Sequence, residues 1–159
     1  MQLTRSSEAE ATAPSMSPSS ASTAGHVLLA EDDREMRHLL AWALRQSGYH
    51  VTEVEDGVEL IDQVATSRAA GCDIDLVITD VRMPQVGGLE ALGWLQEVGS
   101  TVPAVVVTGF GDRRLHEEAK RLGAWAVLDK PFDLDELCAV VDALRAEQRT
   151  GGHHKGARP

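Results

Sequence analysis

The chain has 159 residues and a mass of 17.1 kDa, the size of one ordinary domain with room for a sizeable core. Its 43% hydrophobic and 25% charged residues are those of a soluble globular protein, and no apolar run approaches the roughly 20 residues of a membrane span. A formal charge of −10 repels a phosphate backbone and argues against direct nucleic-acid binding. Cys72 and Cys138 match no disulfide, metal or redox spacing, and no apolar segment follows Arg5 as in a secretory signal, so a cytoplasmic location is expected.

Residues 1–25 mix Ser, Thr, Ala and Pro with almost no large apolar side chain, and such a composition predicts a disordered tail. The run His26-Val-Leu-Leu-Ala30 reads as a buried strand. Asp32 or Asp33 then caps a helix with the stripe Met36, Leu39, Leu40, Ala43 and Leu44, stopped at Gly48; Trp42 falls off that stripe. His50-Val-Thr-Glu-Val54 is a more amphipathic strand, suited to a sheet edge, and Gly57 opens the next helix. Asp75-Leu-Val-Ile-Thr-Asp80 is a buried strand, and the Gly87-Gly88 pair opens a third helix, off whose stripe Trp94 falls. Pro103-Ala-Val-Val-Val-Thr108 is followed by a helix from Gly111-Asp112. Ala124-Trp-Ala-Val-Leu-Asp129, like the run before it, reads as a buried strand and is followed by a helix from Pro131-Phe132-Asp133, and residues 148–159 read as a second tail. The folded segment is therefore 26–147, and nearly all the acidity lies within it. Five strand–helix units in strict alternation predict a doubly wound α/β fold, a parallel sheet with helices on both faces.

In such a sheet the working site lies beyond the carboxyl ends of the strands. There the sequence places Glu31-Asp32-Asp33, Asp80, Thr108 and Lys130. Gathered carboxylates repel unless a hard cation joins them, and Mg2+ suits two or three carboxylates, a backbone carbonyl and waters. A carboxylate beside Mg2+, with an ammonium and a hydroxyl nearby, is what phosphoryl transfer to a carboxylate requires. Asp80 would be the nucleophile, with Lys130 and the metal neutralising the transferring oxygens and Thr108 donating a hydrogen bond. These residues leave a signalling switch and a phosphatase both open.

The pieces Val27-Leu-Leu-Ala-Glu-Asp-Asp33, Asp75-Leu-Val-Ile-Thr-Asp-Val-Arg-Met-Pro84 with Gly88-Leu89, Val106-Val-Thr-Gly109 and Asp129-Lys-Pro-Phe132 together resemble the receiver domain of two-component response regulators, over about residues 26–146. The resemblance implies a flavodoxin-like strand order, 2-1-3-4-5. It also implies that Glu31, Asp32, Asp80 and the backbone carbonyl of Arg82 hold Mg2+, that Asp80 is phosphorylated, that Thr108 is the switch hydroxyl, and that Lys130 is the site lysine. The donor would be a histidine kinase or a histidine phosphotransfer protein. Output would pass by contact to a downstream effector protein, because no output domain is expected in a stand-alone receiver of this length. Such a chain is a phosphoacceptor switch and not an enzyme. An Asp-nucleophile phosphatase carries a second Asp two residues on, where Arg82 stands.

Two positions depart from the family pattern. Val127 stands where an aromatic is usual, and strand alternation puts Trp125 on the same side as Val127, where it either covers the sheet edge or replaces that aromatic. Gly87 occupies a loop position where Asp is common. Arg82 and Phe110, each two residues past a site residue, are expected to flank the approach of water to the acyl phosphate. Either off-stripe tryptophan, Trp42 or Trp94, suits a protein contact, and the resemblance implies that the first helix lies against the histidine-bearing partner, which makes Trp42 the better candidate. The remaining histidines, including His153-His154, have no ligand spacing.

Overall fold

A computed structural model of the chain describes residues 24–151; apart from residues 24–25 and 148–151, the two expected tails lie outside the described residues. The elements run β1 (His26–Ala30), α1 (Arg34–Gln46), β2 (His50–Val54), α2 (Gly57–Ala70), β3 (Leu76–Asp80), α3 (Gly88–Glu97), β4 (Ala104–Thr108), α4 (Arg113–Arg121), β5 (Ala124–Asp129) and α5 (Leu134–Gly151). All pairings are parallel, in the order β2-β1-β3-β4-β5. The doubly wound α/β fold and its 2-1-3-4-5 order are thus as expected, with amphipathic β2 at an edge.

Strand alternation builds two cores. Val27, Leu29, Leu76, Ile78, Val105 and Val107 face α1 and α5. Leu28, Ala30, Val77, Ala104 and Val106 face α2, α3 and α4. The three central strands are buried on both faces, which is why they read as continuous apolar runs.

Helix starts follow capping chemistry. Asp33 Oδ1 accepts from the Met36 N–H at 2.7 Å, and Asp56 and Asp112 cap α2 and α4 in the same way. Three details differ from expectation. The buried stripe of α1 includes Arg37, Leu40, Ala41 and Leu44, with the Arg37 head donating to the buried Glu31 carbonyl, while Leu39 is 46% exposed. The helix α5 continues to Gly151, four residues past the expected boundary, with Gln148 Nε2 donating to the Asp75 carbonyl at 3.1 Å.

The third difference is in β5, which is not a buried strand but the second edge of the sheet, with Trp125 and Asp129 exposed. Ala104 pairs with Ala124 and Val105 with Ala126, so Trp125 is an extra residue at a bulge and alternation is reset. Its indole N–H donates to Glu147 Oε2 on α5 at 2.6 Å, whereas Val127 packs on the opposite core with α4. Trp125 therefore cannot replace the aromatic missing at Val127.

Candidate functional site

The carboxyl ends of β1, β3, β4 and β5 carry polar groups into one crevice. Glu31 follows β1, Asp80 ends β3, Thr108 ends β4, and Lys130 follows β5. Glu31 and Thr108 are 2% exposed and Asp80 9%, while Asp32 faces solvent. Their backbones are fixed by the sheet: the Glu31 N–H donates to the Val54 carbonyl at 3.2 Å and the Lys130 N–H to the Thr108 carbonyl at 2.7 Å.

Lys130 Nζ reaches Glu31 Oε2 at 3.0 Å and Asp80 Oδ2 at 3.1 Å, bridging side chains 99 and 50 residues away in sequence. The other Glu31 oxygen accepts from the Asp33 N–H at 3.2 Å, and Asp80 Oδ1 from the Arg82 N–H at 3.3 Å. Burial pushes the Glu31 carboxyl up to about 7; the Lys130 hydrogen bond pulls it back and the Asp80 charge pushes it further. Burial alone would lower Lys130, but its bonds to Glu31 and Asp80 overcome that and leave its ammonium held above the ordinary lysine value.

Glu31, Asp32 and Asp80 each offer a carboxylate oxygen, all within 4.8 Å of one another. Three hard oxygen donors, one of them too buried to ionise easily, are a set that a divalent cation relieves, so the residues present fit such an ion. Of the expected site residues, these three and Lys130 are brought together directly. Thr108 lies at the end of the neighbouring strand, its Oγ1 accepting from the Phe110 N–H at 3.2 Å.

Sequence reasoning missed how the site is walled. The Arg82 guanidinium stacks over the Phe110 ring at 4.4 Å from its centroid, joining the two residues that were expected only to flank the site. Gly88, which opens α3, is pressed against the end of β3: a Cβ there would lie 2.1 Å from the Asp80 carbonyl and 2.8 Å from Thr79 Oγ1. A Gly-Gly pair at a helix start was the visible signal, because only a residue without a side chain admits that approach. Gly88→Ala is expected to destabilise the protein by about 2–3 kcal/mol, as overpacking against backbone does. A urea midpoint equal to that of the unsubstituted protein would contradict this.

Residues 27–142 match the model of the response regulator receiver domain. The chain is 36% identical over 121 residues to the transcriptional regulatory protein FixJ of Bradyrhizobium diazoefficiens, covering 76% of this chain and 57% of that protein. It is likewise 36% identical over 118 residues to the response regulator MprA of Mycobacterium avium, covering 74% and 50%. The chain thus spans only about half to three-fifths of these relatives' length. Among solved structures, the receiver domain of the Francisella response regulator 1452 superposes with a TM-score of 0.72 at 24% identity, covering 78% of this chain and 98% of that one. Chemotaxis protein CheY4 of Vibrio cholerae gives 0.66 at 25% identity, covering 76% and 98%. With the fold, the strand order and the family match in agreement, the chain belongs to the response regulator receiver domains.

Proposed function

We propose that this receiver takes a phosphoryl group from a histidine kinase or histidine phosphotransfer protein onto Asp80, with Mg2+ held by Glu31, Asp32, Asp80 and the Arg82 backbone carbonyl. The observation that carries this reading is the Lys130 ammonium shared between Glu31 and Asp80 where three carboxylate oxygens converge. An Asp80 oxygen attacks the donor's phosphorus, the new P–O bond replaces the P–N bond, and the imidazole leaves and takes a proton. Lys130 neutralises charge on the transferring oxygens and the Thr108 hydroxyl then donates to one of them. When bound, Mg2+ supplies further positive charge to those oxygens. The chain acts as a phosphoacceptor switch, with no turnover beyond its own phosphorylation and slow dephosphorylation.

The donor's docking face lies beside the site. Leu39 and Trp42 of α1 are 46% and 57% exposed, and an apolar recess of about 320 Å3 between α1 and the turn before α5 is lined by Met36, Leu40, Pro131, Phe132 and Leu134 next to Lys130. This supports contact between α1 and a histidine-bearing helix. Output passes to a downstream effector protein through the face formed by α4, β5 and α5, and Val127 makes that response independent of the usual aromatic. The test is intact mass after incubation with acetyl phosphate and Mg2+, with beryllofluoride binding measured on the same samples. Uptake of one phosphoryl group supports the reading, and failure of both uptake and beryllofluoride binding overturns it.

The raised Glu31 fixes the sign of a pH effect. A carboxyl with its pKa near 7 carries a proton below that pH, and Mg2+ must displace it. Mg2+ affinity is therefore expected to rise with pH up to about 7 and to level off above, approaching about tenfold per pH unit on the acid side. Calorimetric titration across that range checks it; Glu31→Gln should flatten the profile.

A further inference from the structure

Arg37 is a charged side chain inside α1, only 5% exposed. Its Nη1 donates to the backbone carbonyl of Glu31 at 2.7 Å, its Nη2 donates to Glu55 Oε1 at 2.9 Å, and its Nε lies 3.7 Å from Glu53 Oε2. The guanidinium therefore spans from the backbone of the first carboxylate of the site to the end of β2.

We infer that Arg37 is a positioning residue for the metal-binding carboxylates, fixing the peptide between Glu31 and Asp32 so that both side chains are aimed at the cation. The inference rests on the Mg2+ reading above. The carbonyl that Arg37 holds belongs to the peptide unit linking the two residues, and rotating that unit re-aims both Cα–Cβ bonds. On the other side of Glu31 the N–H is already fixed by its bond to Val54. With both sides held, the carboxylates meet the cation preorganised, and the repulsion between them is met by the fold instead of being relaxed by rotation.

Glu55 makes the strap continuous. Its own N–H donates to Glu59 Oε2 at 2.9 Å, Asp56 caps α2, and the Gly57 N–H donates to the Val86 carbonyl at 3.0 Å in the loop after Asp80. Arg37 thus ties the Glu31–Asp32 peptide to an element that also braces the loop beyond the third carboxylate. The task needs two N–H groups in a rigid fork, one for a carbonyl and one for a carboxylate, which lysine cannot supply.

The test is calorimetric Mg2+ titration of the full chain and of Arg37→Met, Arg37→Lys and Glu55→Gln, each with a circular dichroism spectrum and a thermal midpoint. Arg37→Met is expected to bind Mg2+ about 10–100-fold more weakly, Arg37→Lys to recover part of that, and Glu55→Gln to lose about three- to tenfold. With acetyl phosphate, the half-saturating Mg2+ concentration should rise in proportion, while the rate at saturating Mg2+ stays within about twofold, a split that loss of fold stability alone does not produce. Folded Arg37→Met with unchanged Mg2+ affinity overturns the inference. Should that variant fail to fold, Glu55→Gln decides, since the Glu55 side chain is 68% exposed; unchanged affinity there overturns it equally. Failure of the unsubstituted protein to bind Mg2+ would instead overturn the reading of the site as a whole.

Discussion

Asp80→Asn is expected to abolish phosphoryl uptake from acetyl phosphate while leaving the fold intact. The substitution keeps the size and shape of the side chain at the end of β3, so the buried strand and its pairing with Val107 are undisturbed. It removes the anionic oxygen that would attack phosphorus, and no neighbour replaces it: Glu31 is buried deeper at 2% exposed and held by Lys130, while Asp32 faces solvent at the start of α1. The loss should be complete within detection by intact mass. Thermal stability should be equal or higher, because removing one charge from a crowded carboxylate cluster relieves repulsion and lets Glu31 ionise more readily. Undiminished uptake in Asp80→Asn would move the phosphoacceptor elsewhere.

The fold was legible because its central strands are buried on both faces, which forces continuous apolar runs, and because each helix begins with an acid or a glycine whose reason is local. Strand limits differ from the sequence reading by at most one residue. What escaped is what one-dimensional pattern cannot carry. Arg37 sits at a stripe position, with Leu40, Ala41 and Leu44 at the following i+3, i+4 and i+7 spacings, but a charged residue reads as exposed until its acceptors are known. The bulge at Trp125 breaks period two, and the contact that accompanies it, the indole reaching Glu147 on α5, is made across 22 residues.

The site divides in the same way. Glu31, Asp32, Asp80, Thr108 and Lys130 could be picked out because strand ends concentrate function in a parallel sheet, and polar residues there stand out against apolar runs. The stacking of Arg82 on Phe110 could not, because both lie in loops whose paths no periodicity describes. Nor could the sharing of Lys130 between two carboxylates, which depends on how far the turn before Pro131 carries the ammonium across the crevice.

That sharing gives Lys130 an expected effect second only to that of Asp80. Lys130→Met keeps an unbranched apolar stem of similar reach but removes the cation facing Glu31 Oε2 and Asp80 Oδ2 at 3.0 and 3.1 Å. Two opposite consequences follow from one change. The transferring phosphoryl oxygens lose a preorganised positive group, which typically lowers the rate by about 10²–10³-fold at saturating Mg2+. Meanwhile Glu31 and Asp80 are left without their neutralising partner, so Mg2+, no longer competing with an ammonium for the same oxygens, should bind more tightly. Lys130→Arg should recover little of the rate, since a planar fork cannot place one point charge between two converging carboxylates. Parallel measurement of phosphoryl uptake and Mg2+ affinity separates these effects: slower transfer with tighter metal binding is expected, and a variant losing both together would mean that Lys130 holds the crevice open instead of stabilising transfer.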